Sequence, residues 1–341
     1  MSCCQPNGSS KEKIKAIEII SESQKHNLES TLGTSCCSPH VGREKEDNLS
    51  KDSFSERNFY KTDDSSIQKM VLIDKGQFLM GSEDKDINIG DHEDPVRMVE
   101  VEAFYVDPTP VTNQEFQRFI EETGYVTEAK QYGWSFVFHL LFNGKNSQVK
   151  GTPAQTPWWL AVEGADWAHP EGPDSSIQDR LDHPVVHVSW NDANAYCEWA
   201  GKRLLTEKEW EYAARGGLVQ KKYPWGNELM PDGQHMCNIW QGQFPYTNSE
   251  EDGFLGTSPV KAFPPNDYGI YSVSGNVWEW GAEYFDPSIK DQKDAPRVTR
   301  GGSYLCHDSY CNRYRVSART SNTPDSSSGN TGFRCGKSVI A

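Results

Sequence analysis

The sequence contains no run of about 18 apolar residues, the length that a helix needs to cross a membrane. Its N-terminus also lacks the apolar core of a secretory signal, because Lys and Glu interrupt residues 14–20. We therefore expect no membrane span. The missing signal favours the cytoplasm, and the lumen of the endoplasmic reticulum is the alternative if the N-terminus is incomplete.

An excess of basic residues is missing as well. The chain has 34 Lys and Arg against 49 Asp and Glu, which gives a formal net charge of −15. A general nucleic-acid surface needs the opposite balance, so we predict no nucleic-acid partner. The acidity is compatible with the binding of divalent cations, although solubility alone also explains it.

Aromatic residues are nearly absent from residues 1–67, which are rich in Ser, Lys, Glu, Asn and Asp. Residues 68–341, in contrast, contain all 11 Trp and nearly all Phe and Tyr. A segment with so little apolar surface cannot offset the entropy that it loses on folding. We therefore predict a disordered leader over residues 1–67 and one folded domain over residues 68–341.

Cysteine is too sparse for a disulfide scaffold, since nine cysteines are spread over 341 residues. None of them forms the tight Cys-x-x-Cys pairs of a structural zinc site. Cys3, Cys4, Cys36 and Cys37 lie in the predicted leader, where incidental occurrence explains them best. Cys237 lies in the folded part and is expected to be a buried thiol.

The most informative pair is Cys306 and Cys311, five positions apart in a segment dense in Gly, Tyr and Arg. Two thiolates that face each other suit a soft metal such as Cu(I), or reversible disulfide chemistry. Spacing alone favours a structural disulfide or two free thiols over a metal site. The surrounding sequence is therefore needed to decide between a metal site, a disulfide and two free thiols.

Capping boxes predict three helix starts, at the pairs Thr112 with Glu115, Ser189 with Asp192, and Thr206 with Glu209. Gly124, Gly201 and Gly216 close these helices, because glycine readily adopts a left-handed exit. Two short strands are predicted in Lys69–Gly81 and one more over Val99–Val106. The rest is interrupted by Gly, Pro, Asn and Trp, so we expect little regular structure and long loops that need pinning.

Seven runs of the folded part recur in one known family. They are His183–Ala193, Ala200–Leu204, Thr206–Tyr212, Pro224–Asn227, Asn238–Gly242, Gly275–Trp280 and Arg300–Ser303. Between about Met70 and Cys335 the chain resembles the formylglycine-generating enzymes, the sulfatase-modifying factor family. The resemblance implies an α+β fold: a single, irregular domain with little secondary structure, of the C-type-lectin-like superfamily.

The segment Ser303–Cys311, with Asn322–Ser327 and Asn330–Cys335, resembles the catalytic segment of the active members of this family. The resemblance implies a copper-dependent oxidase in which Cys306 and Cys311 hold Cu(I). Its substrate is the cysteine of a Cys-x-Pro-x-Arg segment in an unfolded sulfatase, which O₂ oxidises to Cα-formylglycine. Ser303 and Tyr310 match polar positions of the pocket. Trp278 matches its aromatic wall, although core packing also explains Trp278.

Two alternatives remain open. Catalytically silent paralogues share the fold and lack the cysteine pair, which this chain retains. Non-haem iron sulfoxide synthases, which act on a small thiol, use three His and an extra helical domain. We interpret His183 and His187 as structural and find no such helical domain. Four arginines crowd the cysteine segment and either favour thiolates, meet substrate carbonyls or form salt bridges: Arg300, Arg313, Arg315 and Arg319.

The resemblance also implies structural Ca²⁺ sites, which would anchor irregular loops. The ligands of the first site map to Asn238, Ile239, Asp252 and Phe254. The ligands of the second site map to Ser272, Gly275, Val277 and Glu279. Ser272 replaces an Asn of the family, so the second site has a weaker ligand.

Cys197 and Cys335 match a disulfide pair of the family, which in a reducing compartment would stay as thiols. The positions of a second family disulfide correspond to Ala213 and Val316, so both halves of that cross-link are apolar here. We expect packing to replace it. We also expect the protein to act as a monomer.

Overall fold

The computed structural model describes Pro39, residues 69–88 and residues 90–339. The predicted leader, residues 1–67, lies outside the described residues apart from Pro39. Pro39 is buried, and its carbonyl accepts a hydrogen bond of 3.1 Å from Asn322 Nδ2. Over the described ranges, no helix has the length and the apolar character that crossing a membrane requires.

Short helices and strands make up the described part of the chain. The helices are α1 (Asn113–Thr123), α2 (Glu128–Tyr132), α3 (Trp190–Trp199) and α4 (Glu207–Arg215). The strands are β1 (Val71–Ile73), β2 (Gly76–Met80), β3 (Arg97–Val101), β4 (Phe104–Val106), β5 (Trp134–Phe138), β6 (Val149–Gly151), β7 (Trp159–Glu163), β8 (Arg203–Leu204), β9 (Gly242–Gln243), β10 (Thr247–Asn248), β11 (Trp278–Tyr284), β12 (Arg297–Arg300), β13 (Arg319–Asn322), β14 (Thr331–Phe333) and β15 (Cys335–Ser338). This mixture confirms the predicted α+β class.

Two four-stranded sheets lie at the centre of the fold, with the strand orders β1-β4-β15-β8 and β13-β12-β11-β14. A three-stranded sheet, β5-β7-β6, and the pairs β2-β3 and β9-β10 complete the strand pairing of the described residues. β11 and β14 run parallel, whereas the other named pairs are antiparallel. β15 lies inside its sheet, so the end of the described chain pairs with strands from its first half.

The predicted helix starts are confirmed. In α1, the Thr112 hydroxyl accepts a hydrogen bond from the Glu115 amide, and the Glu115 carboxylate accepts one of 2.9 Å from the Thr112 amide. The same reciprocal capping begins α3 at Ser189 and α4 at Thr206. These local bonds satisfy backbone donors that have no partner inside the helix.

The helix ends follow the prediction with one shift. Gly124 and Gly216 are the C-caps of α1 and α4, and both adopt the left-handed conformation. The C-cap of α3 is Ala200, which stays right-handed, and Gly201 takes the positive φ of 65° one residue later. Glycine therefore provides the exit in all three cases.

The strand predicted over Val99–Val106 is wrong, because this segment forms two strands. Val101 belongs to β3, which pairs with β2, and its side chain is buried. Phe104 and Val106 belong to β4, which lies between β1 and β15, and their side chains are buried as well. The buried positions change from odd to even numbers after Val101, and one alternating strand cannot bury both sets. The chain crosses from one sheet to another at residues 102–103.

Aromatic packing holds α1 against α3. Phe116 stacks on Tyr196 with ring centroids 5.8 Å apart, and Trp167 and Phe333 contact Phe116 edge-on. A second apolar cluster packs α4 against β1 and β4. The short elements therefore share two adjoining aromatic and aliphatic clusters, which compensates for their small size.

The predicted cysteine partners are neighbours. Cys197 of α3 and Cys335 of β15 are buried thiols whose Sγ atoms lie 3.2 Å apart, and no bond joins them in this structure. The predicted disulfide is therefore not formed here. Ala213 and Val316 both belong to the apolar cluster around α4, as expected for positions where packing replaces a cross-link.

Buried ion pairs join α4 to β12, and β11 to Arg334 between β14 and β15. The Glu211 carboxylate accepts hydrogen bonds from Arg300 at 2.5 Å and from Arg215 at 2.7 Å. The Glu279 carboxylate accepts one of 2.8 Å from Arg334. All five side chains are nearly inaccessible to solvent. Because a buried charge is costly when unpaired, these pairs fix how the helix meets the sheet.

Candidate active site

A glycine turn after β12 leads into the segment with the cysteine pair. Gly301 and Gly302 have φ angles of 92° and 74°, in the left-handed region that glycine favours. A Cβ atom on Gly302 would lie 2.9 Å from the Cα of Tyr314. The turn therefore needs glycine and lets the backbone pass close to the returning chain.

Cys306 and Cys311 face each other, with their Sγ atoms 3.2 Å apart. Two backbone bonds close the turns that bring them together: the Cys306 amide donates to the Ser303 carbonyl at 2.9 Å, and the Cys311 amide donates to the His307 carbonyl at 2.6 Å. The two cysteines are 0% and 1% exposed. The five-residue spacing thus brings two buried sulfurs together.

Hydrogen-bond donors approach both sulfurs. The Ser303 amide lies 3.3 Å from Cys306 Sγ, and Arg313 Nη1 lies 3.9 Å from Cys311 Sγ. Asp91 holds the same guanidinium through bonds of 2.5 and 3.3 Å. N–H donors and a nearby cation favour a negatively charged sulfur. Each sulfur of the pair therefore has an N–H donor beside it.

The other predicted site residues lie around the pair. Asn330 Nδ2 donates to Ser303 Oγ at 3.0 Å, and the Trp278 amide donates to the Asn330 carbonyl at 2.8 Å. Trp278 is fully buried and belongs to the same apolar cluster as the two cysteines. Its indole Nε1 has no hydrogen-bond partner among the described residues. A buried donor without a partner is costly, so this N–H is available to a bound group.

Tyr310 lies in an aromatic stack that the sequence did not reveal. Its ring packs on Phe244 at a centroid distance of 4.0 Å and meets Trp158 edge-on at 5.3 Å. Phe244 comes from the turn between β9 and β10, more than 60 positions away in the chain. The aromatic wall of the site is therefore built from three separate segments, and neither Phe244 nor Trp158 was predicted. The Pro-Trp-Trp run at residues 157–159 was the available signal.

The donor set at the pair fits Cu(I). Two sulfurs lie side by side in a cluster that is otherwise aromatic and aliphatic, and thiolates select soft ions such as Cu(I). In the described part of the chain, no three His, Cys, Asp or Glu side chains form a metal cluster. The cysteine pair would offer only two ligands, so it has fewer than the three ligands of such a cluster.

Two of the oxygens predicted for the first Ca²⁺ site share one donor, because Gln241 Nε2 contacts both the Ile239 carbonyl and Asp252 Oδ2, the latter at 2.9 Å. Asp252 Oδ1 accepts from the Phe254 amide at 3.0 Å. A third predicted ligand, Asn238 Oδ1, is buried without a hydrogen-bond partner among the described residues. A buried oxygen of this kind suits Ca²⁺, which takes oxygen ligands, and the site stays a prediction.

The second predicted Ca²⁺ set has other partners. The Glu279 carboxylate accepts from Arg334 and from the Trp210 indole, the latter at 2.7 Å. The Ser272 hydroxyl donates to the Val260 carbonyl at 2.9 Å. Arg334 therefore already neutralises Glu279, the charged residue among the predicted ligands. This site stays a prediction with less structural support than the first.

The histidines have structural partners. Both ring nitrogens of His187 are engaged, Nδ1 with Ser135 Oγ at 2.8 Å and Nε2 with the Pro170 carbonyl at 2.7 Å. His183 Nδ1 lies 2.9 Å from Thr257 Oγ1. These contacts fit the structural interpretation.

Three of the four crowding arginines are committed to glutamates. Arg300 and Arg319 both contact Glu207, and Arg315 binds Glu93 through two bonds of 2.6 and 2.7 Å. Arg313 differs, because it pairs with Asp91 and also approaches Cys311. Cys237 is a buried free thiol in the same cluster as the cysteine pair, and burial raises its pKa.

The comparisons with known proteins agree with the fold and with the predicted family. The family described as "Sulfatase-modifying factor enzyme 1-like domain" matches residues 56–339. The formylglycine-generating enzyme of Thermomonospora curvata is 56% identical over 279 residues, which cover 78% of this chain and 92% of that protein. The inactive C-alpha-formylglycine-generating enzyme 2 of Bos taurus is 50% identical and covers 78% of this chain and 87% of that protein.

A solved structure shows the same fold at lower similarity. The structure of PvdO from Pseudomonas aeruginosa has a TM-score of 0.56 and 23% sequence identity, and it covers 79% of this chain and 94% of that chain. At this identity the likeness concerns the fold alone. The match over residues 56–339 and the relatives above 50% identity go further: the chain belongs to the formylglycine-generating enzyme family.

Proposed function

We propose that this protein converts the cysteine of a Cys-x-Pro-x-Arg segment in an unfolded sulfatase into Cα-formylglycine. One observation carries the proposal: the buried pair Cys306 and Cys311, whose sulfurs lie 3.2 Å apart. Ser303, Tyr310 and Trp278 surround or adjoin this pair in a setting rich in aromatic rings. The active relatives are named for formylglycine generation, which agrees with this assignment.

Cys306 and Cys311 would hold Cu(I) as a dithiolate. When bound there, the ion would supply affinity for a third sulfur and a route for electrons to O₂. The Ser303 amide and the Arg313 guanidinium would stabilise the sulfur charge, because both lie against the sulfurs. The indole N–H of Trp278, which has no partner among the described residues, would donate to a group bound beside the pair.

The overall reaction removes two hydrogens from the substrate cysteine, one from Cβ and one from sulfur. Two electrons and two protons pass to O₂, and water then replaces the sulfur, which leaves as H₂S. The aromatic wall of Phe244, Trp158 and Tyr310 would keep bulk water away from the dithiol while the oxidation takes place. Access of water would follow only after the oxidation.

A silent sulfatase-binding paralogue is the second candidate, since a relative named as inactive is 50% identical to this chain. Identity at this level therefore does not separate the two functions. The pair Cys306 and Cys311 favours the active enzyme, because the resemblance implies that the silent paralogues lack this pair. An iron sulfoxide synthase is disfavoured because His187 uses both ring nitrogens in structural contacts.

Ca²⁺ at Asn238, Ile239, Asp252 and Phe254 would be structural in this proposal. It would complete the coordination of Asn238 Oδ1, a buried oxygen without a partner among the described residues. The ion would join two loops that are linked only by side-chain bonds, such as that from the Ile239 amide to Asp252 Oδ2 at 3.0 Å. The protein would act as a monomer on the sulfatase chain, with O₂ as the co-substrate.

The test is aerobic incubation of the Cu(I)-loaded protein with a Cys-x-Pro-x-Arg peptide, followed by mass spectrometry. The peptide should lose the mass difference between cysteine and formylglycine. Conversion should stop in Cys306→Ser and in Cys311→Ser, because each substitution removes one sulfur. Cys197→Ala is the matched control, since Cys197 is a buried cysteine of the α1–α3 core. Conversion that survives both serine substitutions would overturn the proposal.

A further inference from the structure

Cys311 is disulfide-bonded in this structure, and its partner follows by elimination. Cys306 is not the partner, because the two Sγ atoms lie 3.2 Å apart and a disulfide is about 2.0 Å long. Three other cysteines of the folded domain are thiols: Cys197, Cys237 and Cys335. The chain has nine cysteines, so the partner is one of the four in the predicted leader: Cys3, Cys4, Cys36 and Cys37. The leader cysteines are therefore not all incidental.

Pro39 ties two of these four cysteines to the folded domain. Pro39 is buried, and its carbonyl accepts a hydrogen bond of 3.1 Å from Nδ2 of Asn322, which is 5% exposed. An extended chain spans at most about 3.6 Å per residue, so Cys37 and Cys36 lie within about 7 and 11 Å of Pro39. The other two leader cysteines are more than 30 positions away, and closing so long a loop costs more entropy. This favours Cys36 or Cys37 as the partner.

The strand that binds Pro39 is linked to the surroundings of Cys311. This strand, β13, begins at Arg319, and Arg319 Nη1 donates to the Asp91 carbonyl at 3.1 Å. The Asp91 carboxylate accepts from Arg313 at 2.5 Å, and Arg313 Nη1 lies 3.9 Å from Cys311 Sγ. Asp91 therefore joins the two places at which the leader is held.

The leader sequence at Pro39 repeats part of the proposed substrate segment. Cys37-Ser38-Pro39 has the spacing of Cys-x-Pro, which a match beginning at Cys36 would not have. The Arg of Cys-x-Pro-x-Arg corresponds to Val41. The leader thus has the cysteine and the proline of a substrate and lacks its Arg. This match favours Cys37 over Cys36.

We propose that Cys37 is disulfide-bonded to Cys311 and that the leader acts as a pseudosubstrate, a segment that resembles the substrate and blocks its site. The inference rests on the proposed function, which supplies the substrate motif and the copper role of Cys311. While its sulfur is bonded, Cys311 is not a thiolate ligand for Cu(I). The disulfide would therefore keep the enzyme inactive in two ways: it withholds a metal ligand, and it fills the place of the substrate cysteine.

A dithiol reductant would activate the protein by thiol–disulfide exchange. One thiolate of the reductant attacks the Cys37 sulfur, a mixed disulfide forms, and Cys311 leaves as a thiolate. The second thiol of the reductant then displaces Cys37, so that two electrons and two protons pass from the reductant to the two cysteines. Arg313 Nη1 would stabilise the departing Cys311 thiolate, which makes Cys311 the better leaving group.

The first test maps the disulfide. The full chain is purified without reductant, its thiols are alkylated, and its digest is analysed by mass spectrometry, in which fragment ions distinguish Cys36 from Cys37. A peptide that links Cys37 to Cys311 should be found in the wild type and in Cys36→Ser, the matched control, and should be absent from Cys37→Ser. A wild type that links Cys311 to no leader cysteine would overturn the inference, and a link through Cys36 would overturn the pseudosubstrate.

The second test measures access to the substrate site by fluorescence anisotropy with a labelled Ser-x-Pro-x-Arg peptide, which has no thiol to exchange. The wild type, reduced with a dithiol that is then removed, should bind this peptide, and so should Cys37→Ser without reduction. The oxidised wild type should show about a tenth of that binding if about nine-tenths of its molecules carry the bond. Equal binding by the oxidised and the reduced wild type would overturn the pseudosubstrate.

Conversion of the Cys-x-Pro-x-Arg peptide separates this inference from the proposed function. Reduction, followed by removal of the reductant and Cu(I) loading, should raise the initial rate of the wild type and of Cys36→Ser by about tenfold and leave Cys37→Ser unchanged. Equal rates before and after reduction would overturn the pseudosubstrate and leave the proposed function intact. A linked wild type whose reduced form binds the Ser peptide yet converts no substrate would overturn the proposed function alone.

Discussion

Two regions meet along residues 300–319, and their buried polar groups are paired to different extents. On one side, Arg300 makes four contacts with Glu207, Glu211 and two backbone carbonyls, while its Nε has no partner among the described residues. On the other side, the indole N–H of Trp278 is buried with no hydrogen-bond partner among the described residues. We refer to these as the ion-pair region and the sulfur–aromatic region.

The contrast separates stability from function. The ion-pair region neutralises its buried charges and holds α4 against β11 and β12. The sulfur–aromatic region leaves the N–H of Trp278 without a partner among the described residues, at a cost of about 1–3 kcal/mol. A group bound beside the cysteine pair would complete this bond. The ion-pair region should therefore fail by unfolding, and the sulfur–aromatic region should fail by losing activity.

The largest expected effect is on the ion-pair region. Burial raises the pKa of Glu211, but Arg300 and Arg215 outweigh this effect, so its pKa lies below the usual value and the group is charged. Glu211→Gln removes the carboxylate that pairs with the buried Arg215 and leaves Arg300 with Glu207 as its counter-charge. We expect a loss of about 3–5 kcal/mol in the free energy of unfolding, measured by urea denaturation.

The control for this prediction is an exposed pair. Glu122 lies 2.7 Å from Arg118, and their side chains are 37% and 64% exposed. Glu122→Gln should change the free energy of unfolding by no more than about 0.5 kcal/mol. Equal effects of the two substitutions would contradict the structural role of the buried pair.

The next largest expected effect is the loss of stability when Ca²⁺ is removed. The predicted Ca²⁺ site includes Asn238 Oδ1, a buried oxygen without a hydrogen-bond partner among the described residues. Removal of Ca²⁺ with EGTA should destabilise the wild type, by about 2.7 kcal/mol if the ion was present at 100 times its Kd. Asn238→Ala should abolish this dependence because it removes the buried Oδ1. Ser272→Ala should retain it. The measurement is the thermal midpoint with and without Ca²⁺, and a midpoint that Ca²⁺ does not shift in the wild type would refute the site.

A smaller change in stability is expected in the sulfur–aromatic region. Trp278→Phe loses packing volume but also removes the buried N–H without a partner, and these effects oppose each other. The free energy of unfolding should change by about 1 kcal/mol or less, while kcat for peptide conversion falls by about tenfold. Trp159→Phe is the control, because Trp159 has the same unpaired N–H in a separate cluster. Equal activity losses in both variants would contradict the special role of Trp278.

The smallest expected effect is a change in the free energy of unfolding at acid pH. Burial raises the pKa of Glu209, but the bonds from Arg203 and Thr206 outweigh it, and the pKa lies below its usual value. The stability from this group is therefore present above pH 5 and is lost as the pH falls through the folded-state pKa. Glu209→Gln should flatten this acid limb by about 0.5 kcal/mol, since Arg203 is partly exposed. Urea denaturation between pH 3 and pH 6 measures it; Glu102→Gln, an exposed change, should leave the limb unaltered.

Local rules in the sequence predicted the helices well. Thr112, Ser189 and Thr206 begin their helices because a cap and its acid lie within one turn of each other. The strand over Val99–Val106 failed because its boundary depends on which sheet each half joins. That choice is made by distant partners, β2 on one side and β15 on the other.

The candidate site was also predictable only where its residues lie close together in the sequence. Cys306, Cys311 and Ser303 are close in sequence, so their family pattern was readable. Arg313 was noticed as one basic residue among four, but its partner Asp91 lies 222 positions away. No periodicity or spacing marks such a contact. The stacking of Phe244 on Tyr310 was not predicted for the same reason, because the two residues lie 66 positions apart in the chain.

The central position of β15 has a consequence for how the protein is made. β15 pairs with β4 on one side and with β8 on the other, so this sheet joins residues 104–106 to residues 335–338. β4 and β8 cannot complete this sheet until β15 has been synthesised. Pairings of such long range also make folding slow. During synthesis, the edge of β4 that β15 later covers stays exposed, and in that interval a ribosome-associated chaperone would have the most to protect.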